Sequence, residues 1–286
     1  MAGLLAAAPV AHPSFARRVW GLWRLVHPFP SLAVSVAVLA IVPLADRDAA
    51  VADYVVLGLG MLGFQFGIGA ANDALDARDD AVAKPGKPIP AGLVAPRIAA
   101  LVAAGFAGAG LLITLPLDTL PWLIGLVGLA LGLLYSAVLK RTVLSWLPLA
   151  LALPLVPVWV FTALDAWTHF LWWAFPIGLL LGPAVHFANQ LPDIRGDRAT
   201  GSGGVAVRVG AQRTALAAYG LYGMGASFAA IVLLFESPPR AGFAAATGVA
   251  TMLLAPRGAR LFGRDGLFGV LVVNTIVLAT VFLSAA

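Results

Sequence analysis

The stretch VADYVVLGLGMLGFQFGIGAA, residues 51–71, carries a single charge in twenty-one positions. An apolar run of about 20 residues spans roughly 30 Å of hydrocarbon as a helix, whose backbone groups satisfy one another without water. Similar runs recur along the chain, which is 61% apolar and only 11% charged. That balance excludes a water-soluble globular domain, and no period-two alternation marks a membrane β-barrel. The chain therefore reads as an all-α integral membrane protein of one domain, residues 1–286. The expectation is a bundle of nine transmembrane helices around a central cavity, with 1–16 as a flexible N-terminal tail. The spans fall at roughly 29–45, 51–72, 93–116, 120–139, 143–163, 169–190, 212–235, 240–256 and 267–285.

A net charge of +5 would suit a nucleic-acid binder, but the placement of the charge points elsewhere. Sixteen of the eighteen Lys and Arg residues collect in one alternate set of loops, leaving Arg47 and Arg240 on the other side. This is the positive-inside pattern of an inner or plasma membrane protein. It predicts a cytoplasmic N-terminus, an outer C-terminus, a lipid bilayer as surroundings and no nucleic-acid partner. Cysteine is absent, so disulfides, thiolate metal sites and a cysteine nucleophile are excluded. The N-terminal MAGLLAAAPVA lacks a basic region in front and is too short to span, unlike a signal peptide.

The first long loop of this side opens with NDALDARDDAVAKPGKPIPAG, the most charge-dense stretch of the chain. Asn72, Asp76 and Asp80 are spaced i, i+4, i+8, so a continuing helix is expected to set them on nearly one face with Asp73 beside them. Like charges so placed repel, and a hard divalent cation relieves them. With oxygen ligands and room for a phosphate, that cation is Mg²⁺. Far downstream, FANQLPDIRGDRATG repeats the spacing with Asn189, Asp193 and Asp197. Opposed across a bundle, the two faces would hold two Mg²⁺ ions bridged by a diphosphate. A third loop carries Tyr135, Lys140 and Arg141. Alone these are a belt residue and topology anchors; with the carboxylates they form a diphosphate clamp.

Other motifs carry less. Gly58, Gly60 and Gly63 fit G-x-G-x-x-G but lie inside a span, with no strand before them. Gly63 with Gly67, and Gly128 with Gly132, make small faces for close helix approach. Gln65 and His186 are candidates for lining the pocket.

These motifs resemble the UbiA-type family of intramembrane prenyltransferases, which make quinone, tocopherol, haem and chlorophyll precursors. Asn72, Asp73, Asp76 and Asp80 match its NDxxDxxxD signature, and Asp193 with Asp197 match its DxxxD. KPGKPIPAG resembles the family's basic-Pro-hydrophobic-Pro element, with Lys87 where Arg is usual. Tyr135 with Lys140 and Arg141 resembles its Tyr-x-x-x-x-Lys-Arg element. The resemblance implies Mg²⁺-dependent transfer of an isoprenyl group from its diphosphate to a lipophilic, aromatic acceptor, with quinone biosynthesis as the setting. Asn72, Asp76, Asp80, Asp193 and Asp197 would hold the metal, joined by Asn189 from the repeated spacing. Lys87, Lys140, Arg141 and Arg198 would bind the diphosphate. Asp73, Asp76, Asp193, Lys140 and Tyr135 would form the catalytic set. The segment GSGGVAVRVG departs from the Gly-Lys and Thr-Leu continuation of menaquinone- and homogentisate-type members: Ser202 stands at the Lys position, while Arg208 is kept. A terpene cyclase or a transferase onto a sugar phosphate keeps the same site. An ion-coupled transporter would place its carboxylates near the midplane, whereas here both clusters lie at one side.

Overall fold

The computed structural model describes residues 13–201, 203–258, 260 and 265–286. Among the described residues every regular element is helical. The helices are α1 (Phe15–Leu25), α2 (Pro28–Ala45), α3 (Val51–Ala83), α4 (Pro96–Ile113), α5 (Thr119–Ala137), α6 (Leu147–Ala163), α7 (Ala174–Gln190), α8 (Ile194–Thr200), α9 (Val205–Val209), α10 (Ala211–Glu236), α11 (Pro238–Leu254) and, after Asp265, α12 (Gly266–Leu283). Each expected span meets a helix. Among the described residues seven helical stretches are long and apolar enough to cross a bilayer, among them α7 extended back to His169. The ninefold count rests on α6 and α11, of seventeen residues each. Of the expected tail, residues 1–12 lie outside the described residues; Phe15 and Ala16 already belong to α1, whose first turn Ser14 caps by accepting from the Arg17 amide at 3.4 Å.

α3 organises the bundle. Its 33 residues make a rod of about 50 Å, longer than the roughly 30 Å of hydrocarbon. The last three turns therefore project past the apolar layer and carry the first acidic motif. α4 packs antiparallel along α3 through small residues, as the Gly63 and Gly67 spacing predicts. A Cβ on Gly63 would stand 2.8 Å from the Gly110 Cα, and one on Gly67 2.9 Å from the Ala107 nitrogen, so nothing larger fits without separating the helices. The second expected pair divides: Gly132 is covered by the Ile68 side chain, while Gly128 faces open space.

Trp159, Phe161, Tyr222 and Leu271 lie in the principal core. Leu101 and Phe243, each 68% exposed, face outward, as side chains turned toward lipid do. Between α3, α5 and α6 lies a small, partly open apolar chamber of about 60 Å³. Gln65, expected to line a pocket, is on its wall.

Candidate active site

Three chain reversals bring the motifs to one end of the bundle. Pro85 ends α3, because the residue before a proline is driven out of helical geometry. Lys84 accordingly has φ −141° and ψ 61°, and a tight turn closed by the Lys87 amide on the Lys84 carbonyl, 2.9 Å, sends Lys87 back toward the helix. After α5, one 3₁₀ turn over Leu139–Arg141 presents Lys140, and Thr142 ties that turn by donating to the Leu139 carbonyl at 2.8 Å. The second motif bends rather than continuing as one helix. α7 stops at Gln190, Pro192 interrupts the ladder, and Asp193 sits at the start of α8. Its Asn-x-x-x-Asp-x-x-x-Asp spacing therefore does not trace a single helical face.

On α3 the first motif divides between two faces. Asn72, Asp76, Asp79 and Ala83 recur at four, three and four residues and form one stripe. Lys140 Nζ pairs closely with Asp76 and reaches the Asn72 Oδ1 at 3.5 Å; Arg141 pairs with Asp79 at 2.7 Å. α8 is seated on the same stripe, since a Cβ on Gly196 would lie 3.0 Å from the Ala83 Cβ. Lys84 closes the junction by donating to Asp193 at 2.7 Å, linking residues 109 positions apart. Asp80 departs from the one-face expectation. From Asn72 it has turned through about 80°, whereas from Asp73 it is within about 20° of alignment at 100° per residue. Asp73 and Asp80 are both bound by Lys87, at 2.7 and 2.8 Å, and His27 Nε2 lies 2.8 Å from the same Asp73 oxygen.

Burial alone would lower the Lys87 ammonium; the Asp73 and Asp80 carboxylates outweigh it and hold Lys87 above its ordinary value. Asp197 behaves oppositely. Burial, and then the negative charge of neighbouring Asp193, push its carboxyl up to about 6. Among the described residues no three carboxylates or imidazoles gather around one point; lysines and arginines intervene instead. Oxygen donors of surplus negative charge, with Asp197 held by repulsion, are nonetheless a donor set that suits a hard cation.

Several expected residues lie apart from this junction. Arg198 is exposed and donates to the Val207 carbonyl at 3.2 Å, tying α8 to α9. Asn189 is exposed at the end of α7. Arg208 is exposed on α9, and Ser202 lies outside the described residues. Tyr135 packs edge-on to His186, ring centroids 5.7 Å apart, and its hydroxyl bonds Gln190. His186 lies 3.1 Å from Ser145, which fixes the Lys140 loop against α7. Lys84 and His27 were not among the expected site residues. Two lysines flank Pro85 and Gly86, and the sequence does not mark which reaches the second motif; His27 showed only a His-Pro pair.

A family model described as the UbiA prenyltransferase family matches residues 29–284. The chain belongs to this family. Its members are prenyltransferases, so the chain is an enzyme of that kind. It is 32% identical over 151 residues to a digeranylgeranylglyceryl phosphate synthase of Methanoregula boonei, a match covering 52% of this chain and 54% of that protein. The chain thus spans about half the length of the curated relative it matches. Among solved structures, a UbiA homologue from Archaeoglobus fulgidus bound to DMAPP and Mg²⁺ superposes with TM-score 0.72 at 16% identity, covering 93% of this chain and 99% of that one. The same homologue bound to GPP and Mg²⁺ gives 0.71 at 16% identity, covering 91% and 99%. These likenesses establish the UbiA fold for the whole bundle.

Proposed function

We propose that this UbiA-family enzyme transfers an isoprenyl group from an isoprenyl diphosphate to a lipophilic acceptor, with Mg²⁺ as cofactor and diphosphate released. One observation carries the reading: α3 bears Asn72 and Asp76 on its projecting end and, in the turns below, Met61, Gln65 and Ile68 on the wall of an apolar chamber. A molecule with an anionic head and a long apolar tail matches both halves. The Mg²⁺, GPP and DMAPP bound by the Archaeoglobus homologue support it.

Asn72, Asp76, Asp193 and Asp197 lie on the converging elements and are proposed to hold Mg²⁺. Asp80 is paired with Lys87 as Asp76 is with Lys140 and Asp193 with Lys84, so each of these carboxylates reaches the metal by exchanging its lysine, and Asn189 is exposed at the end of α7. Bound there, Mg²⁺ supplies Lewis-acid neutralisation of the diphosphate. Lys84, Lys140 and Arg141, now paired with carboxylates, exchange those partners for diphosphate oxygens as the acids turn to the metal. Their charge is worth most as the C1–O bond breaks and its electron pair leaves with the diphosphate. The chamber keeps water from the resulting allylic cation until the acceptor attacks C1 and loses a proton. Tyr135 and Asp73 are assigned to positioning.

For the acceptor, a glyceryl phosphate lipid is supported by the Methanoregula relative's name and by the missing Gly-Lys continuation after Asp197. An aromatic ring is the second reading, supported by the family's motifs. Purified enzyme in nanodiscs, given C10 and C20 isoprenyl diphosphates with each acceptor class, should release diphosphate only with Mg²⁺. Asp76→Ala and Asp193→Ala should each lower turnover at least 100-fold. Normal turnover by both variants would sink the assignment.

A further inference from the structure

Lys140 stands midway between two anchored residues. Tyr135 lies five positions before it, on α5, and Ser145 five positions after it, just ahead of α6. One side chain of α7 meets both. The His186 ring receives Tyr135 edge-on, with centroids 5.7 Å apart, and its Nε2 lies 3.1 Å from the Ser145 Oγ. His186 is 2% exposed and Ser145 0%. Gln190, four residues on from His186 and so on the same face of α7, bonds the Tyr135 hydroxyl. The turn that carries Lys140 is thus held at both feet by one helix, and that helix runs on toward Asp193.

A second element closes on the same turn. A Cβ built on Gly204, in the link between α8 and α9, would stand 2.7 Å from the Lys140 carbonyl oxygen and 2.8 Å from the Ser145 Oγ. The φ of Gly204 is −71°, outside the left-handed region, so space and not conformation demands glycine there. Ordering a lysine stem opposes anion binding through lost rotamer freedom. A turn fixed in advance leaves less to be ordered when the anion arrives. Here it presents the ammonium to Asp76 and, at 3.5 Å, to the Asn72 Oδ1.

We propose that His186 is a positioning residue, whose bond to Ser145 holds the Lys140 turn in place and so sets the affinity for diphosphate. Under the transfer reading above, on which this rests, Lys140 binds that group and His186 acts only through it.

The test is calorimetric titration of inorganic diphosphate, with Mg²⁺ present, into nanodisc-embedded enzyme, alongside kcat/KM for a C20 isoprenyl diphosphate. His186→Phe keeps a ring beside Tyr135 but loses the bond, and should weaken diphosphate binding about tenfold, the scale of one hydrogen bond. His186→Gln can set its amide where the ring nitrogen was, and should stay within about threefold of native. Ser145→Ala, which disturbs packing least, should match His186→Phe. Gly204→Ala, by pressing on the Lys140 carbonyl, should weaken binding too. Lys140→Ala should weaken it by about tenfold or more, and adding His186→Phe should weaken it no further; a histidine that merely stabilised the fold would not be masked in this way. kcat/KM should fall in the same order. Three results would overturn the proposal and leave the transfer reading standing, provided Lys140→Ala is impaired: native affinity in both His186→Phe and Ser145→Ala, equal losses in His186→Phe and His186→Gln, or losses that multiply when His186→Phe joins Lys140→Ala. Native affinity and turnover in Lys140→Ala, or no diphosphate binding by the native enzyme, would remove both.

Discussion

Lys87 stands where the family's motif carries an arginine, and that likeness suggests a hand for the diphosphate. In the structure this ammonium sits between two carboxylates. Asp73, 2% exposed, and Asp80, 5% exposed, both hold it. Two buried carboxylates on one face of α3 need a fixed counter-charge, because removing one member of a buried ion pair costs about 3–5 kcal/mol. Lys87→Ala is therefore expected to lower stability by about that amount in a thermal or denaturant melt, and Lys87→Arg to keep most of it. Asp197 predicts pH dependence. Its folded carboxyl is raised to about 6 by burial and Asp193, so between its ordinary value near 4 and 6 the folded enzyme binds the extra proton. The group's contribution to stability thus falls as pH rises through that window. As a proposed Mg²⁺ ligand Asp197 would bind in its ionised form, so the metal would compete with the proton. Apparent Mg²⁺ affinity should weaken by up to tenfold per pH unit below about 6, read by calorimetric titration, and Asp197→Asn should flatten the profile. These pairings were not legible in the sequence because their partners are remote: Asp193 lies 109 positions from Lys84, and nothing local distinguishes Lys84 from Lys87.

At the scale of elements, a helix meets each apolar run, and among the described residues seven stretches are long and apolar enough to cross, since length and hydropathy are local properties and a bilayer demands both. The faces of α3 were also written in the spacing, but read too generously. Eight residues turn a helix 80° past alignment, so Asp80 belongs with Asp73, seven residues away. The second motif failed as a helical face for a local reason, the proline at 192, which breaks α7 and aims Asp193 and Asp197 from α8. What holds α3 in place is its contact with α4. Gly63 faces the Gly110 backbone, which has no side chain to yield, so Gly63→Leu forces the helices apart. Overpacking of this kind costs about 1–3 kcal/mol. The variant should melt earlier, whereas Gly105→Leu on α4, whose Cβ would meet nothing within 4 Å, should melt like the native enzyme.

For the molecule as a whole, the question is which side each end occupies, and it turns on α11. This helix is seventeen residues long, rich in small residues, and short for a span. It nevertheless packs against both α10 and α12. Arg240 in its first turn donates to Ser284, just past the end of α12, at 2.8 Å. The turn before α11 and the end of α12 thus lie together, while the close approach of Gly258 to Gly266 joins the other ends of the same helices. If α10 crosses, α11 must return and α12 must cross again. The loop charges agree, because Arg240 and Arg47 are the two basic residues outside the motif side. We therefore expect the site to open to the cytoplasm and the C-terminus to lie outside. A chain without cysteine permits a clean test with single replacements and a membrane-impermeant maleimide. Arg47→Cys and Ser284→Cys should label in intact cells, and Arg97→Cys only after permeabilisation. Labelling of Ser284→Cys from the cytoplasmic side, with Arg47→Cys still outside, would mean that α6 or α11 turns back and that the bundle has an even number of crossings.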